Sequence, residues 1–394
     1  MNIALFTDTF FPVKNGVVTH VNELKEGLRR RGHTVFIVTS RFPDYEDDDP
    51  AILRLTSLKV PLGKGMQIRY AFGLQKTVTD FLKNKNIQIV HTHTEFSVGR
   101  SGVKSARHLG IPHVHTLHTM WEEYRHYIFN GRVLTRGMIK RALRWFLKRV
   151  DAFVAPSPKS AHYLQALMPS VPVSVISNGV DTTRIASLIP SAEQKAALRA
   201  QLGVGTDDFI LIFVGRIGME KRVFELVDAV AAAAAREPRI RMIFIGDGPT
   251  LDPLKRRAQD SAAPAAFVFT GFLGWEAVIA HLASSNLFVT VSLSEVQPMT
   301  IIEAQLCGLP VVARRDESYF EMILDGKNGY LVEEDSEVVE KILELARDER
   351  KWADFSRESL RRSQNLSIEN TVSRMEELYG TLISSRGAGT PSRK

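Results

Sequence analysis

Short apolar runs of the kind that bury in parallel sheets alternate with helical patterns along this sequence, and the alternation starts twice. The first round offers strands at Ile3–Thr7, Thr34–Thr39, Ile89–His93, His113–Leu117, Ala152–Pro156 and Val173–Ser177. Helical patterns lie between them, at about Gly16–Arg31, Phe72–Asn84 and Arg136–Val150. The second round offers Phe209–Val214, Met242–Gly246, Phe267–Thr270, Leu287–Val291 and Val311–Ala313. Strands that alternate with helices read as βαβ units, which build parallel sheets covered on both faces. Two rounds predict an α/β protein of two Rossmann-like, doubly wound domains. Ligands of such sheets bind beyond the carboxyl ends of the strands, so a two-domain chain is expected to use a central cleft. The turn signal Asn178-Gly179 predicts a boundary there, giving domains over 1–180 and 181–365. Residues 366–385 are expected to form a C-terminal helix that packs back on the first domain. Residues 386–394, rich in Ser, Gly, Pro and basic side chains, are expected to be a disordered tail.

The bulk numbers narrow the function classes. A length of 394 residues suits two domains with real cores. The one cysteine, Cys307, excludes a disulfide within the chain and reads as a small buried hydrophobe. The longest apolar runs, such as Phe209–Val214 and Ala229–Ala235, are far too short to span a bilayer. The first residues enter a strand without the pattern of a signal peptide. A soluble or peripheral protein is expected. Residues 1–180 hold 25 Lys+Arg against 13 Asp+Glu, a net +12, whereas residues 181–394 hold 26 against 31, a net −5. A basic first half suits an anionic partner, and it also suits solubility alone.

The motifs that carry chemistry sit at strand ends. After Leu287–Val291 comes Ser294-Glu295-Val296-Gln297-Pro298-Met299-Thr300-Ile301-Ile302-Glu303, with the two glutamates eight residues apart. Pro298 suits the first position of a helix. The N–H groups of Met299 and Thr300 would then face whatever lies above the strand, an arrangement that suits a phosphate. Glu295 and Glu303 are placed to accept hydroxyls, and a polyol beside a diphosphate is a sugar nucleotide. The plain alternative is a solvated loop glutamate plus one that favours a helix dipole. After Phe209–Val214 comes Gly215-Arg216-Ile217-Gly218-Met219-Glu220-Lys221. A guanidinium and an ammonium at a strand end suit a diphosphate, or are two solvated cations. The segment is neither G-x-x-x-x-G-K-[ST] nor G-x-G-x-x-G, which weakens nucleotide hydrolysis and dinucleotide redox chemistry. Gly246-Asp247-Gly248-Pro249 reads as a turn, and Gly271 ends a strand where a base could meet the backbone. In the first half, Gly16 lies between the first strand and helix, where it permits close ligand approach.

Seven of the eleven histidines fall between His91 and His126. His118 sits just past a strand, where it could line the cleft. The pairs His91/His93 and His113/His115 share sheet faces, yet no acidic or thiol ligand completes an obvious metal set. Histidines satisfied by hydrogen bonds are expected, with no metal. Arg132, Arg136, Lys140, Arg144 and Lys148 stand four apart and build one helical ridge. With Trp145 nearby, this reads as an interfacial membrane element or as a core helix with a solvated basic face. No nucleic-acid-binding module accompanies the charge.

Taken together, Gly16, His118, Gly215-Arg216…Lys221 and Glu295-x7-Glu303 resemble, in order, the retaining nucleotide-sugar glycosyltransferases of the GT-B fold. Three further segments look like the bacterial diacylglycerol glycosyltransferases: Phe6-Thr7-Asp8-Thr9-Phe10-Phe11-Pro12, His91-Thr92-His93-Thr94-Glu95-Phe96 and His115-Thr116-Leu117-His118-Thr119-Met120. So does Gly308-Leu309-Pro310-Val311-Val312-Ala313-Arg314-Arg315-Asp316. The resemblance implies transfer of a hexose, from UDP-glucose or UDP-galactose, to 1,2-diacylglycerol at the inner face of the cytoplasmic membrane. It implies that Arg216 and Lys221 hold the donor diphosphate, that Glu295 binds the sugar and Glu303 the ribose, and that His118 faces the reacting carbon. Gly16, Met299 and Thr300 would meet phosphate oxygens. No metal or other cofactor is implied. Pro298 departs from the glycine of many relatives and removes one N–H. A transferase acting on a soluble or polysaccharide acceptor shares every donor motif. A nucleotide-sugar epimerase and a non-catalytic sugar-nucleotide binding protein are the remaining alternatives.

Overall fold

The computed structural model describes residues 1–60, 69–123 and 135–387. The chain divides into two compact units, Met1–Gly179 joined by the stretch from Ile368, and Val180–Ser367. In the first unit the strands are β1 (Asn2–Phe6), β2 (Thr34–Ser40), β3 (Ile52–Leu55), β4 (Ser57–Lys59), β5 (Arg69–Ala71), β6 (Ile89–Thr92), β7 (His113–Thr116), β8 (Ala152–Ala155) and β9 (Val173–Val175). Seven form one sheet in the order β3-β2-β1-β6-β7-β8-β9, with every pair parallel. The pair β4–β5 is an antiparallel hairpin beside it. In the second unit β10 (Phe209–Val214), β11 (Ile240–Ile245), β12 (Phe267–Gly271), β13 (Leu287–Thr290), β14 (Val311–Arg314) and β15 (Gly329–Val332) form a parallel sheet. Its order is β12-β11-β10-β13-β14-β15. Each sheet reverses direction once, between β1 and β6 and between β10 and β13. Those reversals are the crevices where doubly wound sheets bind ligands.

The helices are α1 (Gly16–Arg30), α2 (Leu74–Asn84), α3 (Ser97–Leu109), α4 (Arg136–Leu147) and α5 (Pro158–Leu167), then α6 (Thr182–Ser187), α7 (Ala192–Gln201), α8 (Val223–Arg236), α9 (Leu251–Gln259), α10 (Trp275–Ala283), α11 (Met299–Leu306), α12 (Asp335–Arg347), α13 (Glu349–Ser363) and α14 (Ile368–Gly387). Strand alternation shares the side chains between two faces. On β1, Ile3 and Leu5 enter one core with Val18, Leu24 and Leu28 of α1, while Ala4 and Phe6 enter the other. On β10, Phe209, Leu211 and Phe213 pack under α8, and Ile210 and Ile212 pack with α10 and α11. Ile368, Val372, Met375 and Tyr379 of α14 are buried in the α1 core. Among the described residues no helix is long and apolar enough to cross a membrane.

Three differences from the sequence reading have physical causes. β3 was missed because its run, Ile-Leu-Arg-Leu, carries a charge. Arg54 is tolerated there because Asp47 meets its Nε at 2.5 Å. β15 opens on Gly329 and follows a turn at Asp325-Gly326, so it reads as a loop. Finally, α14 continues through Arg386 to Gly387, where a tail was expected from 386; residues 388–394 lie outside the described residues.

Candidate active site

In the second unit, the two motifs expected to work together meet at the β10–β13 reversal. Gly215, at the end of β10, is held against β11: its N–H donates to the Ile245 carbonyl at 3.0 Å. A Cβ on Gly246 would lie 1.9 Å from the Gly215 carbonyl oxygen, and one on Gly248 would lie 2.3 Å from that of Ile217. Gly246-Asp247-Gly248 is therefore a backbone clamp that sets the loop carrying Arg216. A single 3-10 turn, Met219–Lys221, follows. Arg222 then takes a left-handed φ of 53°, an uncommon state for a residue with a side chain. It is held there by Asp335 at 2.6 Å and Glu225 at 3.3 Å, and Arg314 reaches the same Asp335 at 3.0 Å.

The loop after β13 is stitched to this turn. Ser294 Oγ donates to the Glu220 carbonyl at 3.0 Å, and Tyr319, fully buried, donates its hydroxyl to the Ser292 carbonyl at 2.7 Å. Lys221 Nζ donates to Glu295 Oε1 at 2.5 Å, with both side chains largely shielded from solvent. The ammonium expected at a diphosphate and the carboxylate expected at a sugar thus form an ion pair. Pro298 is the N-cap of α11, one position earlier than expected, and offers no side-chain cap, so Met299 and Thr300 open the helix. Glu303 is buried at 4% exposure and accepts the Trp275 indole N–H at 2.8 Å. The Arg184 guanidinium lies over the Trp275 ring at 4.5 Å. Gly271 ends β12 with φ 74°, and its carbonyl accepts the Gly246 N–H. Burial holds the Cys307 thiol up at about 12, which removes it as a nucleophile.

In the first unit, the β1–β6 reversal offers two helix N-termini. Asp8 closes the one on α3: its carboxylate accepts from Thr94 Oγ1 at 2.6 Å, Ser97 Oγ at 2.8 Å, Val98 N at 2.7 Å and Gly99 N at 3.3 Å. Burial pushes the Asp8 carboxyl above its usual range, while these donors pull it back. The N-terminus of α1 is capped only once, by Asn15 on the Val18 N–H, and Gly16 is exposed with open space where a Cβ would point. Of these two N-termini, α1 is the one where an anion has room.

The strand histidines divide sharply. His91 is satisfied by Tyr379 and Thr116, at 2.6 and 2.7 Å. His115 reaches Thr92 and Glu95, and His113 reaches Thr92. This is the expected hydrogen-bonded state for His91 and His115, while His113 keeps a buried Nδ1 without a partner. His20 on α1 is different: it is buried and neither ring nitrogen has a partner. His93 Nδ1 meets His118 Nε2 at 3.0 Å, while its Nε2 has none. Burial lowers His20 to about 4 and holds His93 and His118 well below the ordinary imidazole value, so all three are neutral at pH 7.

The basic helix is amphipathic as expected. Ile139, Leu143, Phe146 and Leu147 are buried, while Met138 and Trp145, seven apart, are about half exposed. The Arg100 guanidinium stacks on Trp145 at 4.2 Å. Two ridge members are engaged within the protein: Lys140 with Glu122 at 3.6 Å, and Arg144 with the Leu167 carbonyl at 3.3 Å. Arg136, Arg141 and Lys148 are exposed. Arg132 lies outside the described residues. Sequence reasoning missed Trp275, Asp8, Arg222 and His20. Trp275, opening a helix four residues past Gly271, and Asp8, inside the segment Phe6–Pro12, were the two with a visible signal.

Two parallel sheets of this order, with a cation pair and two glutamates at one reversal, define the GT-B class of glycosyltransferase. Residues 14–184 match the family described as Glycosyltransferase Family 4, and residues 194–362 match Glycosyl transferases group 1. The chain is 32% identical over 381 residues to alpha-monoglucosyldiacylglycerol synthase of Streptococcus pneumoniae, covering 96% of this chain and 85% of the other. It is 29% identical over 392 residues to the synthase of the same name from Acholeplasma laidlawii, covering 97% and 98%. Among solved structures, HepE of Anabaena, crystallised with UDP and glucose, superposes with a TM-score of 0.76 at 20% identity over 97% of this chain and all of that one. The chain belongs to these GT-B glycosyltransferases, and over nearly its whole length it is similar to bacterial diacylglycerol glycosyltransferases.

Proposed function

We propose that the protein is a retaining hexosyltransferase that moves glucose or galactose from a UDP-sugar to the hydroxyl of 1,2-diacylglycerol, working as a peripheral protein at the inner face of the cytoplasmic membrane. The observation that carries the donor half is the Lys221–Glu295 contact, which joins the Gly-Arg…Lys and Glu-x7-Glu motifs at one sheet reversal. Arg216 and Lys221 take the diphosphate and offset the charge that develops as the sugar–phosphate bond breaks. The α11 N-terminus at Met299 and Thr300 takes phosphate oxygens, and Gly16 does so in the first unit. Glu295, released by Lys221 as the phosphate arrives, takes sugar hydroxyls. Glu303, steadied by Trp275, takes the ribose. The acceptor oxygen attacks from the face the leaving group departs, and its proton passes to a donor phosphate oxygen. His118, neutral at pH 7, faces the sugar as a hydrogen-bonding group. Cations and helix dipoles supply the positive charge, so transfer is expected to need no metal. The acceptor half rests on the names of the two synthases and on the exposed Met138, Trp145 and arginine face of α4.

The purified protein is to be incubated with labelled UDP-glucose, UDP-galactose and GDP-mannose, each with and without diacylglycerol vesicles. Label entering lipid from a UDP-sugar, undiminished by EDTA, is the expected result. GDP-mannose is included because a GDP-mannose-dependent alpha-mannosyltransferase of Corynebacterium glutamicum is 27% identical over 84% of this chain. Label entering only soluble products would overturn the lipid acceptor. Loss of transfer in EDTA that a divalent ion restores would overturn the metal-free mechanism.

A further inference from the structure

We infer that His20, His93 and His118 form a binding site for a divalent transition-metal ion of the zinc class, with three imidazole nitrogens as ligands and a fourth position open. One ring nitrogen from each lies within 4.8 Å of the other two. They come from separate elements: His20 from α1, His93 directly after β6, His118 two residues past β7. Zinc held by nitrogens at 2.0–2.1 Å in a tetrahedral site sets them about 3.4 Å apart. Modest rotamer movement closes that gap, and His93 Nδ1 and His118 Nε2 already stand 3.0 Å apart.

The need for a ligand here is independent of that spacing. His20 and His93 are each about 1% exposed, and three of their four ring nitrogens have no hydrogen-bond partner. Buried polar groups are nearly always satisfied, by protein, water or an ion. The neighbouring His91, stacked beside His93 at 4.1 Å between ring centroids, shows the contrast, since both its nitrogens are engaged. It walls the cluster without competing for the ion. The donor set also selects the ion. Three neutral imidazoles suit zinc, copper, cobalt or nickel, whereas magnesium and calcium demand oxygen. The ion is not a cofactor of transfer. It takes His118, so it inhibits, and this arm alone rests on the role proposed for His118 above.

The test begins with metal-stripped full-length protein and no nucleotide sugar. Zinc is titrated against a chromophoric chelator, with cobalt as a spectroscopic probe. One ion per chain is expected, with tetrahedral cobalt absorption in the visible and no displacement by excess magnesium. His20→Gln is expected to weaken binding at least tenfold, with a thermal melt confirming that it folds. Glu303→Gln, in the other unit, is expected to leave binding unchanged. X-ray absorption on the zinc-loaded wild type needs no variant and is expected to show about three imidazole nitrogens. Absence of stoichiometric binding, equal binding by His20→Gln, or a shell without imidazole would each overturn the site. Stoichiometric zinc should also slow transfer in the wild type and not in His20→Gln. Binding without inhibition would count against the role of His118 and leave the site standing.

Discussion

The two units carry the same strand order through the reversal, yet their reversal points are chemically opposite. In the second unit the point is lined by charges that are already committed: Lys221 to Glu295, and Arg222 and Arg314 to Asp335. In the first it is lined by neutral rings, and the carboxylate of Asp8 is consumed in closing α3. The difference teaches that the topology supplies only a place. A charged, preorganised place suits a diphosphate, because fixed cations need no reorganisation when charge develops. A neutral, under-satisfied place suits a group that arrives without charge, such as a sugar hydroxyl, or a metal ion that brings its own.

The sharpest way to break this contrast is to discharge the second unit. Arg216→Ala is expected to lower the rate of sugar transfer by about 10²–10³, the usual cost of one lost electrostatic stabiliser, with donor binding changed far less. Initial rates at saturating donor measure it. Transfer at the wild-type rate would remove Arg216 from the diphosphate and leave the second unit no more catalytic than the first.

The first unit is expected to betray its neutral histidines through acid. His20 has a folded value of about 4 against 6.5 unfolded. Between those values the unfolded chain binds more protons, so stability rises with pH. The contribution is complete above pH 6.5 and is lost as pH falls toward 4, and His93 and His118 act in the same direction. A shift of this size is worth roughly 3 kcal/mol. Urea midpoints of metal-free protein at pH 4.5 and 7.5 check it. His20→Gln should flatten the difference by roughly 2–3 kcal/mol, and an unchanged slope would mean that His20 is not buried neutral.

The fold was legible in the sequence because buried parallel strands are continuous apolar runs, and those of β10, β13 and β14 are read off almost residue for residue. The edge strands β3 and β15 were not, since one carries Arg54 and the other opens on a glycine just after a turn. The Gly-Arg…Lys and Glu-x7-Glu motifs were visible as candidates because glycine, cations and glutamates coincide at two strand ends. Their pairing was not, because Lys221 and Glu295 lie 74 residues apart. The roles of Asp8 and His20 were missed for the same reason: what matters in each is a partner gained or lacking in space, which the place of Asp8 in the Phe6–Pro12 segment does not reveal. Trp145 and Phe146 show the limit at its smallest scale. The sequence left both as candidates for the interface; Phe146 packs against His115 and Trp145 is exposed.

A charge asymmetry accompanies the contrast between the units, and vesicles test it. Arg136 and Arg141 are exposed on α4 and are better targets than Lys140 or Arg144, which Glu122 and Leu167 engage. Each basic residue near an anionic surface contributes about 1 kcal/mol. Arg136→Gln with Arg141→Gln is therefore expected to weaken partition onto phosphatidylglycerol vesicles by about 2 kcal/mol, roughly thirty-fold. Sedimentation at low salt measures it, and salt should release the wild type. Equal sedimentation of the two proteins would make α4 a scaffold helix and move the membrane surface elsewhere.

The smallest effect expected concerns how the second unit keeps its charges in place. Trp275 makes no charge of its own, but its indole N–H holds one oxygen of the buried Glu303, and Arg184 covers its ring. Trp275→Phe keeps the ring and the stack and deletes the hydrogen bond. A hydrogen bond to a charged group is worth about 1.5–3 kcal/mol. Only the part felt by the ribose reaches the donor, so the KM for nucleotide sugar should rise about three- to tenfold, with kcat nearly unchanged. A merely structural role for Trp275 predicts the same loss for every donor. A positioning role predicts less: with a donor lacking the ribose hydroxyl that Glu303 accepts, Trp275→Phe and wild type should converge. If both proteins discriminate equally against the 2′- and 3′-deoxyribose donors, Glu303 does not read the ribose through Trp275.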